Sequence, residues 1–202
     1  MSQVAPMVFV VDDDVSVRES LELLIQTEQW RVETFASAEQ FLSRPRVETP
    51  SCLLLDLALP DLNGLELQKK LADRSDMPII FITGHGDIPA TVRAMKAGAV
   101  EFLTKPLDED ALLNAIRNAI ARSSESLRDA EEVNALKQRY ATLSARERQV
   151  MALVVSGLLN KQVGGQLGIS EITVKAHRGR VMEKMNARSL AELVKMNSRL
   201  GL

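Results

Sequence analysis

The chain has 202 residues, 46% of them hydrophobic and 26% charged, the balance of a folded protein and not of a disordered or collagen-like one. Its formal charge of −2 conceals a split: residues 1–120 carry 11 Lys and Arg against 19 Asp and Glu, residues 121–142 carry 4 of each, and residues 143–202 carry 10 against 4. An acidic first part joined to a basic last part points to cation chemistry in the one and a polyanionic partner for the other.

No apolar run approaches the roughly 20 residues that cross a bilayer. The run Met1–Pro6 lacks a basic region, so no secretory leader is expected. Cys52 is the single cysteine and His85 and His177 are the only histidines, too few for a disulfide or a cysteine-based zinc site. A cytoplasmic protein with no membrane partner is expected.

Met7–Val11 (MVFVV) reads as a first strand, and Ser16–Gln26 as a helix carrying Val17, Leu21, Leu24 and Ile25 at helical spacing. Trp30–Phe35 is a second strand and Ala38–Leu42 a short helix. Cys52–Leu55 (CLLL) is the continuous apolar run of a strand buried on both faces. Gly64–Ala72 is helical, Pro78–Thr83 (PIIFIT) a fourth strand, and Ile88–Ala97 a helix. Glu101–Leu103 is a fifth strand, followed by a helix over Asp108–Ile120. Five strand-helix units predict a doubly wound parallel sheet, whose ligand sits beyond the carboxyl ends of its strands.

Polar residues gather at those ends. Asp12, Asp13 and Asp14 follow strand one, Asp56 follows strand three, Thr83 ends strand four and Lys105 follows strand five. Each alone is an ordinary turn, cap or surface residue. Together, in this order, they define one edge. Two unit charges 4 Å apart at an effective dielectric of 20 interact by about 4 kcal/mol, so clustered carboxylates call for a hard divalent cation. An all-oxygen site suits Mg²⁺, and a neighbouring lysine suits phosphate oxygens. A carboxylate so placed is a nucleophile for phosphoryl transfer.

The runs V-V-D-D-D-V-S-V-R, L-L-L-D-L-A-L-P-D-L-N-G, F-I-T-G-H-G-D and E-F-L-T-K-P resemble the receiver domain of two-component response regulators, a flavodoxin-like fold. The resemblance implies that Asp56 accepts phosphate from a sensor histidine kinase. Asp12, Asp13, Asp56 and the backbone carbonyl of Ala58 would hold Mg²⁺. Thr83 would hydrogen-bond the phosphoryl group, Lys105 would ion-pair with it, and Phe102 would be the aromatic switch. The T-G-H-G-D stretch at Thr83–Asp87 resembles the FixJ branch. A phosphatase with an aspartyl nucleophile needs a second Asp two residues after the first, where this chain has Ala58. Slow self-dephosphorylation is expected, without turnover of an external substrate.

Residues 121–142 contain no Gly or Pro, and Leu127, Ala130, Val133, Leu136 and Tyr140 fall at three- and four-residue steps. A helical linker is expected, continuing from Asp108–Ile120. Leu143-Ser144-Ala145-Arg146-Glu147 then has Ser and Glu at capping-box spacing. Helices follow over residues 145–156 and Asn160–Leu167. Gly168-Ile169 is a turn, Ser170 caps a third helix through Met185, and Ser189 caps a fourth. Helix, short turn and basic helix make a helix-turn-helix. Val174, His177, Val181 and Met185 form the inward stripe of the third helix, with Thr173, Lys175, Arg178, Arg180 and Lys184 on the remaining surface.

The stretch L-S-A-R-E-R-Q-V … N-K-Q-V … L-G-I-S-E-I-T-V-K-A-H-R resembles the LuxR-type DNA-binding domain, so the whole chain is similar to FixJ-type response regulators. By that resemblance Thr173, Lys175 and Arg178 enter the major groove of a double-stranded operator, Lys161 and Arg180 favour phosphates, and the fourth helix offers a dimer face. Leu159 replaces a capping Ser or Thr, and Gly164-Gly165 replaces an alanine-containing pair at roughly 1 kcal/mol per glycine. The expected domains are a receiver over 1–120, a helical linker over 121–142 and a four-helix DNA-binding domain over 143–202. The expected function is a regulator, not an enzyme. Phosphorylation of Asp56 gates homodimerisation and DNA binding and activates transcription, with RNA polymerase as a further partner. The alternative is a helical module that binds RNA or protein.

Overall fold

The structure, a computed structural model, describes residues 5–60, 62–84 and 88–202. Residues 1–4 of the amino-terminal run and 85–87 of the T-G-H-G-D run lie outside the described residues. Five strands, β1 (Met7–Val11), β2 (Arg31–Phe35), β3 (Ser51–Asp56), β4 (Ile79–Thr83) and β5 (Glu101–Thr104), pair in the order β2-β1-β3-β4-β5. Every pair is parallel. The interleaved helices are α1 (Val15–Thr27), α2 (Ala38–Leu42), α3 (Gly64–Lys70), α4 (Ile88–Lys96) and α5 (Glu109–Ala141).

Alternation along the strands splits the core in two. Phe9, Leu53 and Phe81 pack with Phe41, Leu67 and Ala94, so α2, α3 and α4 cover one face. Val10, Leu54 and Ile82 pack with Leu21, Ile25, Leu112 and Ile116, so α1 and α5 cover the other. β1, β3 and β4 are buried throughout, which is why they read as unbroken apolar runs. Cys52 lies inside this core, and burial pushes its thiol up to about 12. The doubly wound parallel sheet predicted from sequence is the observed architecture.

One boundary bears on chemistry. β3 extends one residue past the predicted strand, so Asp56 is itself a strand residue, paired with Ile82. The predicted linker and the helix before it are a single helix, α5. Ser123 on α5 is fully buried. Its hydroxyl accepts from the Ser51 amide at 2.9 Å and donates to the Asp76 carbonyl, fastening α5 to the amino-terminal end of β3.

The chain divides into two compact units, the first ending at Arg128 and the second spanning Asp129–Leu202. The second contains the last part of α5 with α6 (Ala145–Val155), α7 (Asn160–Leu167), α8 (Glu171–Met185) and α9 (Leu190–Arg199). Leu136, Leu143, Met151, Val181, Met185 and Leu193 form one cluster, and Val150, Val154, Val163 and Val174 another. Ser144 and Glu147 make the capping box read from sequence. α7 has half of one: Gln162 Oε1 accepts from the Leu159 amide at 2.8 Å, and Leu159 has no side-chain oxygen to return the bond.

Candidate functional site

Asp12, Asp56, Thr83 and Lys105 meet at the carboxyl edge of the sheet because each ends or follows a strand. Asp12, Asp56 and Thr83 are buried. Lys105 Nζ donates to Asp12 Oδ2 at 2.7 Å and to Asp56 Oδ2 at 2.8 Å. Asp56 Oδ1 accepts from the Ala58 amide at 3.0 Å, and Asp12 Oδ1 from the Asp14 amide at 2.9 Å. Burial raises the Asp12 carboxyl above its ordinary value, against the hydrogen bonds from Lys105 and Asp14. Burial also works against the Lys105 ammonium, but its bonds to Asp12 and Asp56 outweigh this and raise it. The lysine is therefore charged between its two carboxylates.

Carboxylate oxygens of Asp12, Asp13 and Asp56 lie within 4.8 Å of one another. Among the described residues this is the only group of three or more His, Cys, Asp or Glu side chains able to share a metal ion. Its donors are all hard oxygens. Two are buried while Asp13 faces solvent, an arrangement that fits a hard divalent cation retaining waters. An open cavity of about 580 Å³ leads to Asp56 and Lys105, with Ala58, Asn63, Thr83 and Arg93 on its walls.

Two supports escaped the sequence reading. Arg18 donates to the carbonyls of Asp12 and Asp13 at 2.7 and 2.9 Å, holding the acidic loop from α1. Its place at the end of the V-V-D-D-D-V-S-V-R run, one turn into that helix, was the signal available. Gly64 opens α3 against β3, where an added Cβ would lie 2.6 Å from the Asp56 carbonyl, so only glycine permits this approach. Phe102 is half-buried, its ring 6.3 Å from that of Phe81.

In the second unit, α8 is capped by Ser170 and follows Gly168, which adopts the left-handed conformation that closes α7. Val174, Val181 and Met185 are sealed inside. His177 is half-buried, its Nδ1 enclosed without a hydrogen-bond partner. Lys161, Lys175 and Arg180 are exposed, and Thr173 and Arg178 half-buried. Thr173 Oγ1 lies 2.8 Å from Ser170 Oγ, Lys175 Nζ 3.6 Å from Glu171, and Arg178 donates to Asn160 Oδ1 at 3.3 Å. Beneath them Lys184 donates to Glu147 Oε2 at 2.6 Å and to the Thr142 carbonyl at 3.2 Å. The bond from Lys184, followed by that from the Ser144 amide, holds the Glu147 carboxyl down at about 2.

Comparison with known proteins agrees with both halves. Residues 8–117 match the response regulator receiver domain, and residues 141–197 match the LuxR family of bacterial regulatory proteins. Nodulation protein W of Bradyrhizobium diazoefficiens is 50% identical over 97% of this chain and 87% of its own length. Transcriptional regulatory protein FixJ of Rhizobium meliloti is 43% identical over 94% of this chain and 93% of its own. The solved structure of response regulator StyR is 50% identical, covers 97% of this chain and all of its own, and superposes with a TM-score of 0.83. The likeness runs over almost the whole length of these relatives, and the two matched families meet in one chain as they do in the geometry: the chain belongs to the two-component response regulators that join a receiver domain to a LuxR-type DNA-binding domain.

Proposed function

We propose that a sensor histidine kinase phosphorylates Asp56 and that this gates homodimerisation and operator binding by the second unit. The observation that carries the reading is Lys105 Nζ held between the buried carboxyl groups of Asp12 and Asp56. In the transfer, Asp56 Oδ attacks phosphorus, the phosphorus–nitrogen bond of the donor histidine breaks, and an acyl phosphate forms. Asp12, Asp13, Asp56 and the Ala58 carbonyl are the residues to hold Mg²⁺, which when bound supplies positive charge against the phosphoryl oxygens.

Lys105 then exchanges part of its contact with Asp56 for the phosphoryl group, and the Thr83 hydroxyl donates to a second oxygen. Movement of Thr83 toward phosphorus vacates space beside β4, and Phe102 turns inward. The neighbouring surface, Thr91–Ala97 and Glu101–Leu103, becomes the dimer face. Two basic units on one dimer raise each other's local concentration on a two-part operator. Thr173, Lys175 and Arg178 face the major groove, and Lys161 and Arg180 the phosphates. The dimer activates transcription beside RNA polymerase. Asp56 accepts a phosphoryl group and loses it slowly by hydrolysis, without turning over an external substrate.

Acetyl phosphate or beryllofluoride with Mg²⁺ should raise affinity for operator DNA, and Asp56→Asn should abolish the rise. An equal rise in the variant would reject gating through Asp56. Affinity should fall steeply with salt as phosphate contacts are screened. Tight binding to RNA or to a protein, with no duplex bound, would instead favour the alternative role for the helical unit.

A further inference from the structure

A helix in the major groove reads bases with the face turned away from its own core. In α8 the core face is Val174, Val181 and Met185. At about 100° per residue, Ile172 and Gly179 lie opposite that stripe, with Lys175 and Ala176 beside them. All four are exposed. Thr173 and Arg178 stand about a quarter-turn or more to either side. Both are half-buried and already bonded, to Ser170 and Asn160, so they border this face and leave its centre to the four exposed residues.

The position of Ile172 is unusual for an isoleucine. It is 80% exposed, more than any other large apolar side chain among the described residues, and belongs to neither core cluster of its unit. It is the second residue of α8, in the turn that contacts base edges when such a helix docks. Next to it on this face is another methyl, that of Ala176. At Gly179 an added Cβ would meet nothing within 4 Å, so the helix surface there is bare and can approach the DNA closely.

The floor of the major groove offers one apolar group, the 5-methyl of thymine. Against cytosine or a phosphate an isoleucine gains nothing. We infer that Ile172, with the Ala176 methyl beside it, is a specificity-determining patch that takes a thymine 5-methyl in each operator half-site, next to the base edge reached by Lys175. The inference rests on the DNA-binding reading above and adds to it the base that is read and the side chain that reads it. Lys175, restrained only by an exposed pair with Glu171 at 3.6 Å, is free to turn toward guanine O6 and N7.

The test uses the full chain loaded with beryllofluoride and Mg²⁺, and duplexes selected by it from a random pool. The selected sites should hold a thymine at one fixed position in each half. Replacing it with deoxyuridine, which removes only the methyl, should weaken wild-type binding about fourfold per half-site. The same replacement should cost Ile172→Ala less than about 1.5-fold, and Ile172→Val should retain most of the effect. Repeating the selection with Ile172→Gln should move the preference at that position to adenine. Because Ile172 is solvent-exposed, thermal melts of the variants should match the wild type. An equal uracil penalty in wild type and Ile172→Ala overturns this inference while leaving DNA binding intact. Failure of the wild type to select any duplex overturns the DNA-binding reading together with it.

Discussion

Lys105 stands 2.8 Å from Asp56, the carboxylate that it shares with no other side-chain cation within bonding distance among the described residues. Its second bond, to Asp12, neutralises a carboxylate with no exposed surface. Lys105→Ala should therefore leave Asp12 buried and unpaired, lowering receiver stability by about 3 kcal/mol, the low end for such a pair because the lysine is partly exposed. Adding Asp12→Asn should recover most of that loss. Trp30, the only tryptophan, lies in the receiver, so urea unfolding followed by its fluorescence isolates this unit.

Glu147 gives the second unit a defined acid sensitivity. Bonds from Lys184, followed by the Ser144 amide, hold its folded value down at about 2, below the ordinary carboxylate value near 4.5. A depressed acid contributes stability that is fully present above its unfolded value and disappears as pH falls through the folded one. Between about pH 4.5 and pH 2 the wild-type unit should lose stability faster than Glu147→Gln, the two curves converging at the acid end. Melting temperatures across this window measure the difference. Parallel curves would remove Glu147 from the account.

The paired glycines of α7 should respond in opposite directions. A Cβ on Gly164 would lie 2.7 Å from the Ile169 carbonyl, whereas one on Gly165 would meet nothing within 4 Å. Gly165→Ala should stabilise the unit by about 1 kcal/mol through helix propensity. Gly164→Ala should destabilise it by about 1–2 kcal/mol, because the turn before α8 must shift. Chemical denaturation of the two single variants suffices.

A fragment beginning at Asp129 should fold more stably than one beginning at Leu143. The shorter piece loses Leu136, which is buried in the core, and Tyr140, which packs on it. It also loses the Arg199 pair with Glu132 at 2.6 Å. The missing core contacts should cost about 3 kcal/mol or more, read from urea midpoints of the two fragments.

Much of the receiver was legible because burial on both faces writes itself as uninterrupted apolar strands, and because each chemical residue sits where such a strand stops. The strand read from sequence stops at Leu55 because an aspartate contradicts an apolar pattern, yet the backbone of Asp56 continues the ladder of β3. Ser123 was hidden for the opposite reason. A serine in a polar stretch carries no sign that two backbone groups distant in sequence depend on it. In the linker the spacing of Leu136 and Tyr140 was enough to expect a helix, but not to name their packing partners, because that core is supplied chiefly by helices that follow them. On α8 the inward stripe was readable from periodicity, and the same periodicity sets Ile172 opposite it; what the sequence does not carry is that no neighbouring element covers that isoleucine.

The short stretch of α5 between Ser123 and Asp129 has a practical consequence. Upstream of it, the helix is bonded to the sheet; downstream, it contributes to the helical core. Chimeric regulators that graft a foreign sensor half onto this effector half should be spliced inside that interval. A crossover placed at residue 120 or at residue 143 severs one half from a contact on which its own folding depends.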